Sequence, residues 1–130
     1  MIQLFSDSNH FITLERAKEM VRMYREQRRN ILKPEYAGSS ILPDSETFNR
    51  EAIDRLIAQP RCAGLRIYYG MDEQLNTHAI LIAVNENNED LLPSADSSNM
   101  ENPESTGEPV ILEEAVRCPP NCPQTSGLYP

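Results

Sequence analysis

Apolar positions in the first third of the chain recur at helical steps. In TLERAKEMVRMYREQRRNIL, Leu14, Ala17, Val21, Tyr24 and Ile31 fall along one stripe of a helix. Thr13 is suited to cap the first turn, and Glu15 sits near the positive end of the helix. Pro34 stops the run, because a residue before proline avoids the α region. The spacing predicts a helix from Leu14 to about Leu32. A turn-rich connector, KPEYAGSSILPDSE, precedes FNREAIDRLIAQP, where Ala52, Ile53, Leu56 and Ile57 form a second inward face. Asn49 is the expected cap, with Phe48 stapled onto Ile53, and Ser45 offers a competing start one turn earlier. Pro60 ends this helix.

After RCAG the period changes to two. Leu65, Ile67 and Tyr69 alternate with Arg66 and Tyr68, the pattern of a half-buried strand. THAILIAVN then gives six consecutive apolar residues from Ala79 to Val84, which predicts a strand covered on both faces. ENNED makes a second turn in which Asn87 and Asn88 tolerate positive φ, and Leu91 and Leu92 open a third short strand. Short connections favour antiparallel neighbours. The expected architecture is α+β, with two helices packed on a three-stranded antiparallel meander. One face of the central strand then needs a further cover, either the later segment VILEEAV (110–116) or another protein.

From Pro93 to Pro109 the composition falls to PSADSSNMENPESTGEP, which cannot bury enough surface to offset its ordering entropy. The organisation read from this pattern is a globular domain over 1–92, a disordered acidic loop over 93–109, and a docking segment with a Cys-Pro tail over 110–130. The docking segment fits either an edge strand or a single helical turn. The chain of 130 residues is long enough for one domain.

Charge sharpens this division. Residues 1–85 hold eleven Lys/Arg and eleven Asp/Glu, whereas residues 86–130 hold nine acids and a single base, Arg117, so the net charge of -8 is local. An acidic arm repels polyanions, which argues against nucleic acid and membrane surfaces as partners. No run reaches the roughly 18 apolar residues of a membrane span. MIQLFSDSNHF lacks a basic n-region and an apolar h-region, and three cysteines suit a reducing compartment, so a cytoplasmic location is expected.

The candidate chemistry centres on RCPPNCP. On a straight polyproline path Cys118 and Cys122 would lie roughly 12 Å apart, too far for a disulfide. A type II turn over Pro119–Pro120–Asn121–Cys122 brings the sulfurs close enough to bond, or to share a zinc ion. Cys62, His10 and His78 are the other soft ligands, with no second paired-cysteine motif. Both cysteines precede proline, as at some regulatory haem sites, so zinc or haem at Cys118/Cys122 stands as an alternative to a stiff, exposed tail with incidental thiols. Cys62 and His78 would make a nucleophile and base, but no acid or amide is visibly placed to orient the histidine, and no enzyme is expected. Asp72 and Glu73 read as turn residues. Lys18, Arg22, Arg25 and Arg29 share one face of the first helix, an interaction surface for an acidic partner or a solvated face offset by Glu15, Glu19 and Glu26.

The stretch FNREAIDRLIAQPRCAGLRIYYGMDEQLNTHAILIAVNENNEDLLP, followed by the RCPPNCP ending, resembles a group of small uncharacterised bacterial proteins. The resemblance covers nearly the whole chain beyond its first ten residues and implies a bacterial cytosolic origin; it transfers no activity, cofactor or site residue. The functional expectation is a non-enzymatic protein-interaction module with a protein partner or self-association. The alternative is a thiol protein that binds zinc or haem or acts as a redox switch through the C-terminal cysteines.

Overall fold

The computed structural model describes residues 9–93 and 109–128. It contains two α-helices, a three-stranded antiparallel sheet and a separate two-stranded sheet, a mixed α+β architecture. In chain order these are α1 (Leu14–Ile31), a 3-10 turn (Pro34–Tyr36), β1 (Ser45–Thr47), α2 (Arg50–Ile57), β2 (Gly64–Met71), β3 (Thr77–Val84), β4 (Asp90–Leu91) and β5 (Val116–Cys118). The chain divides into two compact units. Of the described residues, 47–70, 78–93 and 109–115 form the first, and 9–46, 71–77 and 116–128 the second.

The first unit carries the core. Asn49 caps α2 by accepting from Ala52 N at 2.8 Å, so Ser45 is left to open β1. Leu56, on the inward face of α2, is fully buried against Leu81 and Ala83 of β3, Leu91 of β4 and Val110, with Phe48 and Ile53 packed on the same cluster. The strand order is β2-β3-β4, with Ala83 opposite Leu91 and Val84 opposite Asp90. Asn88 takes the positive φ (66°) that the β3–β4 turn requires, and the Asn85 carboxamide accepts from Asn87 N and Glu89 N. Within 110–116, Leu112 forms an isolated antiparallel bridge to Leu81, and Val116 begins β5.

The second face of β3 is closed in a way the hydrophobic pattern did not suggest. Gly70 and Ile80 share that face, since a Cβ on Gly70 would meet Ile80 Cδ1 at 2.7 Å. Strand alternation therefore puts Arg66 and Tyr68 there too, with Ile82, Val84 and Asp90. Arg66 pairs with Asp90 and with the Asn88 side chain, and Tyr68 donates to Asp90 Oδ2 at 2.6 Å. Because β3 lies between β2 and β4, these side chains must span it. They roof Ile82 and Val84, each 2% exposed. Among the described residues, Arg66, Tyr68 and Asp90 of the sheet itself lie over this face of β3.

In the second unit, Thr13 caps α1 by accepting from Arg16 N at 3.1 Å. The helix has no buried residue, and its expected apolar stripe is the inner one only in part: Ala17 and Val21 are half-buried, whereas Leu14 and Ile31 are exposed. The less exposed stripe is Ala17, Val21, Arg25 and Arg28, spaced by three and four. The core cluster draws on α2 and takes nothing from α1.

Truncating the one fully buried helix residue of this core should be costly. Leu56→Ala should lose about 2–5 kcal/mol of stability, read as a lower urea midpoint at unchanged slope.

Candidate functional site

The singular base of the acidic third organises the second unit. Arg117, on β5, is half-buried and engages four acceptors. Its Nε donates to Glu46 Oε2 at 3.2 Å, and Nη1 to Ser40 O at 3.1 Å. Nη2 donates to Ile41 O at 3.3 Å and to Thr77 O at 2.8 Å. A planar guanidinium suits this, because its donors leave in fixed directions. β5 is thereby tied to β1, to the 40–41 loop and to the start of β3.

One residue along, the backbone of Asp44 donates to Cys118 O at 2.8 Å. This contact places the Asp44 carboxylate beside the cysteine pair: an Asp44 oxygen and the sulfurs of Cys118 and Cys122 lie within 4.8 Å of one another. The inner stripe of α1 closes on the same carboxylate. Arg28 Nη1 lies 2.6 Å and Arg25 Nε 3.5 Å from Asp44 Oδ1. Oδ1 is buried and accepts no aligned hydrogen bond, so the arginines hold it by charge. Arg28 also donates to Leu42 O at 3.1 Å and stacks over Tyr24, 5.4 Å from the ring centre. The Tyr24 hydroxyl donates to Pro43 O at 2.7 Å. Burial pushes the Tyr24 phenol up from its ordinary range, against the opposing pull of Arg28.

The cysteines themselves are bonded, Cys118 to Cys122, with Cα atoms 4.6 Å apart. The turn differs from the type II turn the sequence suggests: the Cys118–Pro119 and Pro119–Pro120 bonds are both cis, and Asn121 N returns to Arg117 O at 2.9 Å. Cys118 is 1% exposed while Cys122 is exposed. A loop this short still removes about 2 kcal/mol of chain entropy from the unfolded state on the loop-closure model.

The cationic face of α1 is brought together in part. Lys18, Arg22 and Arg25, with Arg28, line an open groove of about 870 Å³ walled on its far side by residues 126–128; Arg29 is not among its lining residues. Glu15, Glu19 and Glu26 line it too, and the pairs are Arg16–Glu19 at 3.4 Å and Arg22–Glu26 at 3.0 Å.

In the first unit, Cys62 donates to Gly64 O at 3.4 Å and borders a polar hollow of about 440 Å³ with Arg61 and the Asn85–Glu89 turn. His78 is turned to Glu113, 3.5 Å from Nδ1 to Oε1, and does not line that hollow. Asp72 Oδ1 accepts from Gln74 N and Asn76 N, as a turn residue does. The apolar row of β2 stays exposed: Leu65 38%, Ile67 49% and Tyr69 79%. α2, eight residues long, puts its single buried residue on β3 and β4, and β2 is the edge of the sheet.

Sequence reasoning missed Asp44, hidden in a connector that reads as turn chemistry, and Glu113, in a segment too short to assign. The signal for Arg117 was available, since a lone base among nine acids marks a residue with a specific partner.

Replacing Arg117 by Met should cost about 3–5 kcal/mol, because the Glu46 carboxylate beside it would stay buried without its counter-charge. Arg117→Met combined with Glu46→Gln should recover part of that loss in urea denaturation. Raising the phenol's pKa on folding means the folded state keeps its proton longer than the unfolded state. Stability should therefore fall as pH rises above the unfolded value near 10, and Tyr24→Phe should flatten that part of the pH–stability curve relative to the parent. No protein-family model, curated protein or solved structure matches this chain.

Proposed function

We propose that this protein is a non-enzymatic interaction module that self-associates by antiparallel pairing of β2 with β2 of a second copy. The observation that carries the reading is an eight-residue edge strand whose apolar row, Leu65, Ile67 and Tyr69, is exposed, with no strand paired along its outer edge among the described residues. Edge strands that avoid association usually carry an outward lysine, a proline or a bulge. GLRIYYGM has neither lysine nor proline, and its one charge, Arg66, is engaged with Asp90 on the opposite face.

Self-complementarity favours a second copy as the occupant. A two-fold axis at Tyr68 sets Ile67 opposite Tyr69 on the apolar face, an aromatic–β-branched pair that contributes about 0.2–1 kcal/mol. On the other face it sets Arg66 opposite Gly70, so the arginines of the two copies do not meet. The cation-lined groove on α1 is the less favoured surface, because glutamates share it.

The test is size-exclusion chromatography with light scattering, compared with Tyr69→Lys. The parent should run as a dimer, and the lysine variant as a monomer with an unchanged circular dichroism spectrum, since so exposed a side chain contributes within about 0.5 kcal/mol to the fold. A parent that stays monomeric at its highest soluble concentration, or a dimer that survives the substitution, would overturn the reading.

A further inference from the structure

We infer that reduction of the Cys118–Cys122 bond turns the end of β5 into a binding site for one zinc ion, held by the two thiolates and the carboxylate of Asp44. The proposal concerns the second unit and stands apart from the docking reading of β2.

Three observations converge. The spacing of the cysteines, with three residues between them in CPPNC, falls within the range from which paired thiolates share a zinc ion. Two thiols alone make a weak site, and the fold supplies a third donor that is 74 residues away in sequence, brought in by the Asp44 N to Cys118 O hydrogen bond. All three donor atoms already lie within 4.8 Å of one another. Ligands of a tetrahedral zinc ion stand roughly 3.5–3.8 Å apart, given zinc–sulfur and zinc–oxygen bonds of about 2.3 and 2.0 Å. Once the sulfurs are no longer bonded, side-chain rotation at exposed Cys122 suffices to open the set to that spacing.

The surroundings suit a ligand carboxylate. Arg25 and Arg28 both address Oδ1 and fix the plane of the group, the orienting role that outer contacts play at metal sites. That oxygen is buried and accepts no aligned hydrogen bond, and a carboxylate offers a second oxygen as well. Soft thiolates with one carboxylate prefer zinc to the harder magnesium or calcium ions. The fourth position opens to solvent beside Cys122 and is filled by water.

The chemistry balances with a dithiol as reductant. One thiolate of the dithiol attacks a sulfur of the Cys118–Cys122 bond, the second resolves the mixed disulfide, and the reductant leaves as its cyclic disulfide. Two electrons and two protons pass to the protein as two thiols. Zinc binding then displaces those protons, so the metal is taken up by the reduced chain alone.

The full chain is reduced with a dithiol, desalted without oxygen and titrated with Co²⁺, whose thiolate charge-transfer absorption reports sulfur ligation. Reduced protein should show the band at one ion per chain, displaced by added Zn²⁺, and oxidised protein should show none. Cys122→Ser should abolish it; this exposed position keeps the test valid if Cys118→Ser fails to fold. Asp44→Asn should weaken binding at least about tenfold with the circular dichroism spectrum unchanged. Cys62→Ser should bind as the parent does. The proposal is overturned if reduced protein shows no band, if the band survives Cys122→Ser, or if Asp44→Asn binds as tightly as the parent.

Discussion

A single half-buried guanidinium sets the frame on which the second unit is built. Arg117 joins β5 to β1, to the 40–41 loop and to Thr77 through four acceptors, one of them the buried carboxylate of Glu46. Three of those acceptors are the backbone carbonyls of Ser40, Ile41 and Thr77, and the Ile41 carbonyl also accepts from Thr77 N at 2.9 Å, so the arginine reinforces a backbone tie between these segments. Charge-assisted bonds to a nearly dry site are stronger than neutral ones, and losing one partner leaves the rest unsatisfied. The register of β5 on β1 follows from this anchor. So does the position of Cys118, and with it the approach of Asp44 to the cysteine pair.

The same substitution of polar for apolar cover appears in the three-stranded sheet. A strand as hydrophobic as β3 asks for two covers, and the sequence pattern assigns both to hydrophobic partners. One face is met by Leu56 of α2. The other is roofed by the stem of Arg66 and the ring of Tyr68, each reaching over β3 to Asp90. Asp90 in turn holds the Tyr68 proton, pushing that phenol up from its ordinary range through the hydrogen bond. What stays exposed is the row that strand alternation places on the helix-covered side, Leu65, Ile67 and Tyr69. A helix of eight residues is too narrow to cover three strands, and the edge strand is the one left out.

How much of this was legible follows from the range of each interaction. Elements fixed by local rules read correctly: the Thr13 and Asn49 caps, the stop before Pro34, the change of period at Gly64 and the positive φ at Asn88. The face that an element turns inward was not legible where a long-range charge decides it. In α1, Leu14, Ala17, Val21, Tyr24 and Ile31 define the apolar stripe by sequence; Ala17 and Val21 lie on the inner face, but Arg25 and Arg28 complete it because Asp44 draws them there. Periodicity weighs hydrophobicity alone and has no means of seeing a buried counter-ion. Of residues 93–109, read as a disordered acidic loop, 94–108 lie outside the described residues.

Charge also bears on the change of oxidation state proposed for the cysteine pair beside Asp44. In the bonded form one carboxylate faces two guanidinium groups, so the spot carries a surplus positive charge. Two thiolates would reverse that sign, and like charges held this close repel. A divalent ion restores the sign of the bonded form, so the arginines meet the same field in both. The guanidinium pair that looks, in isolation, like an obstacle to a metal is what makes the reduced, metal-bound state electrostatically equivalent to the oxidised one. The bare dithiolate is the form this arrangement disfavours.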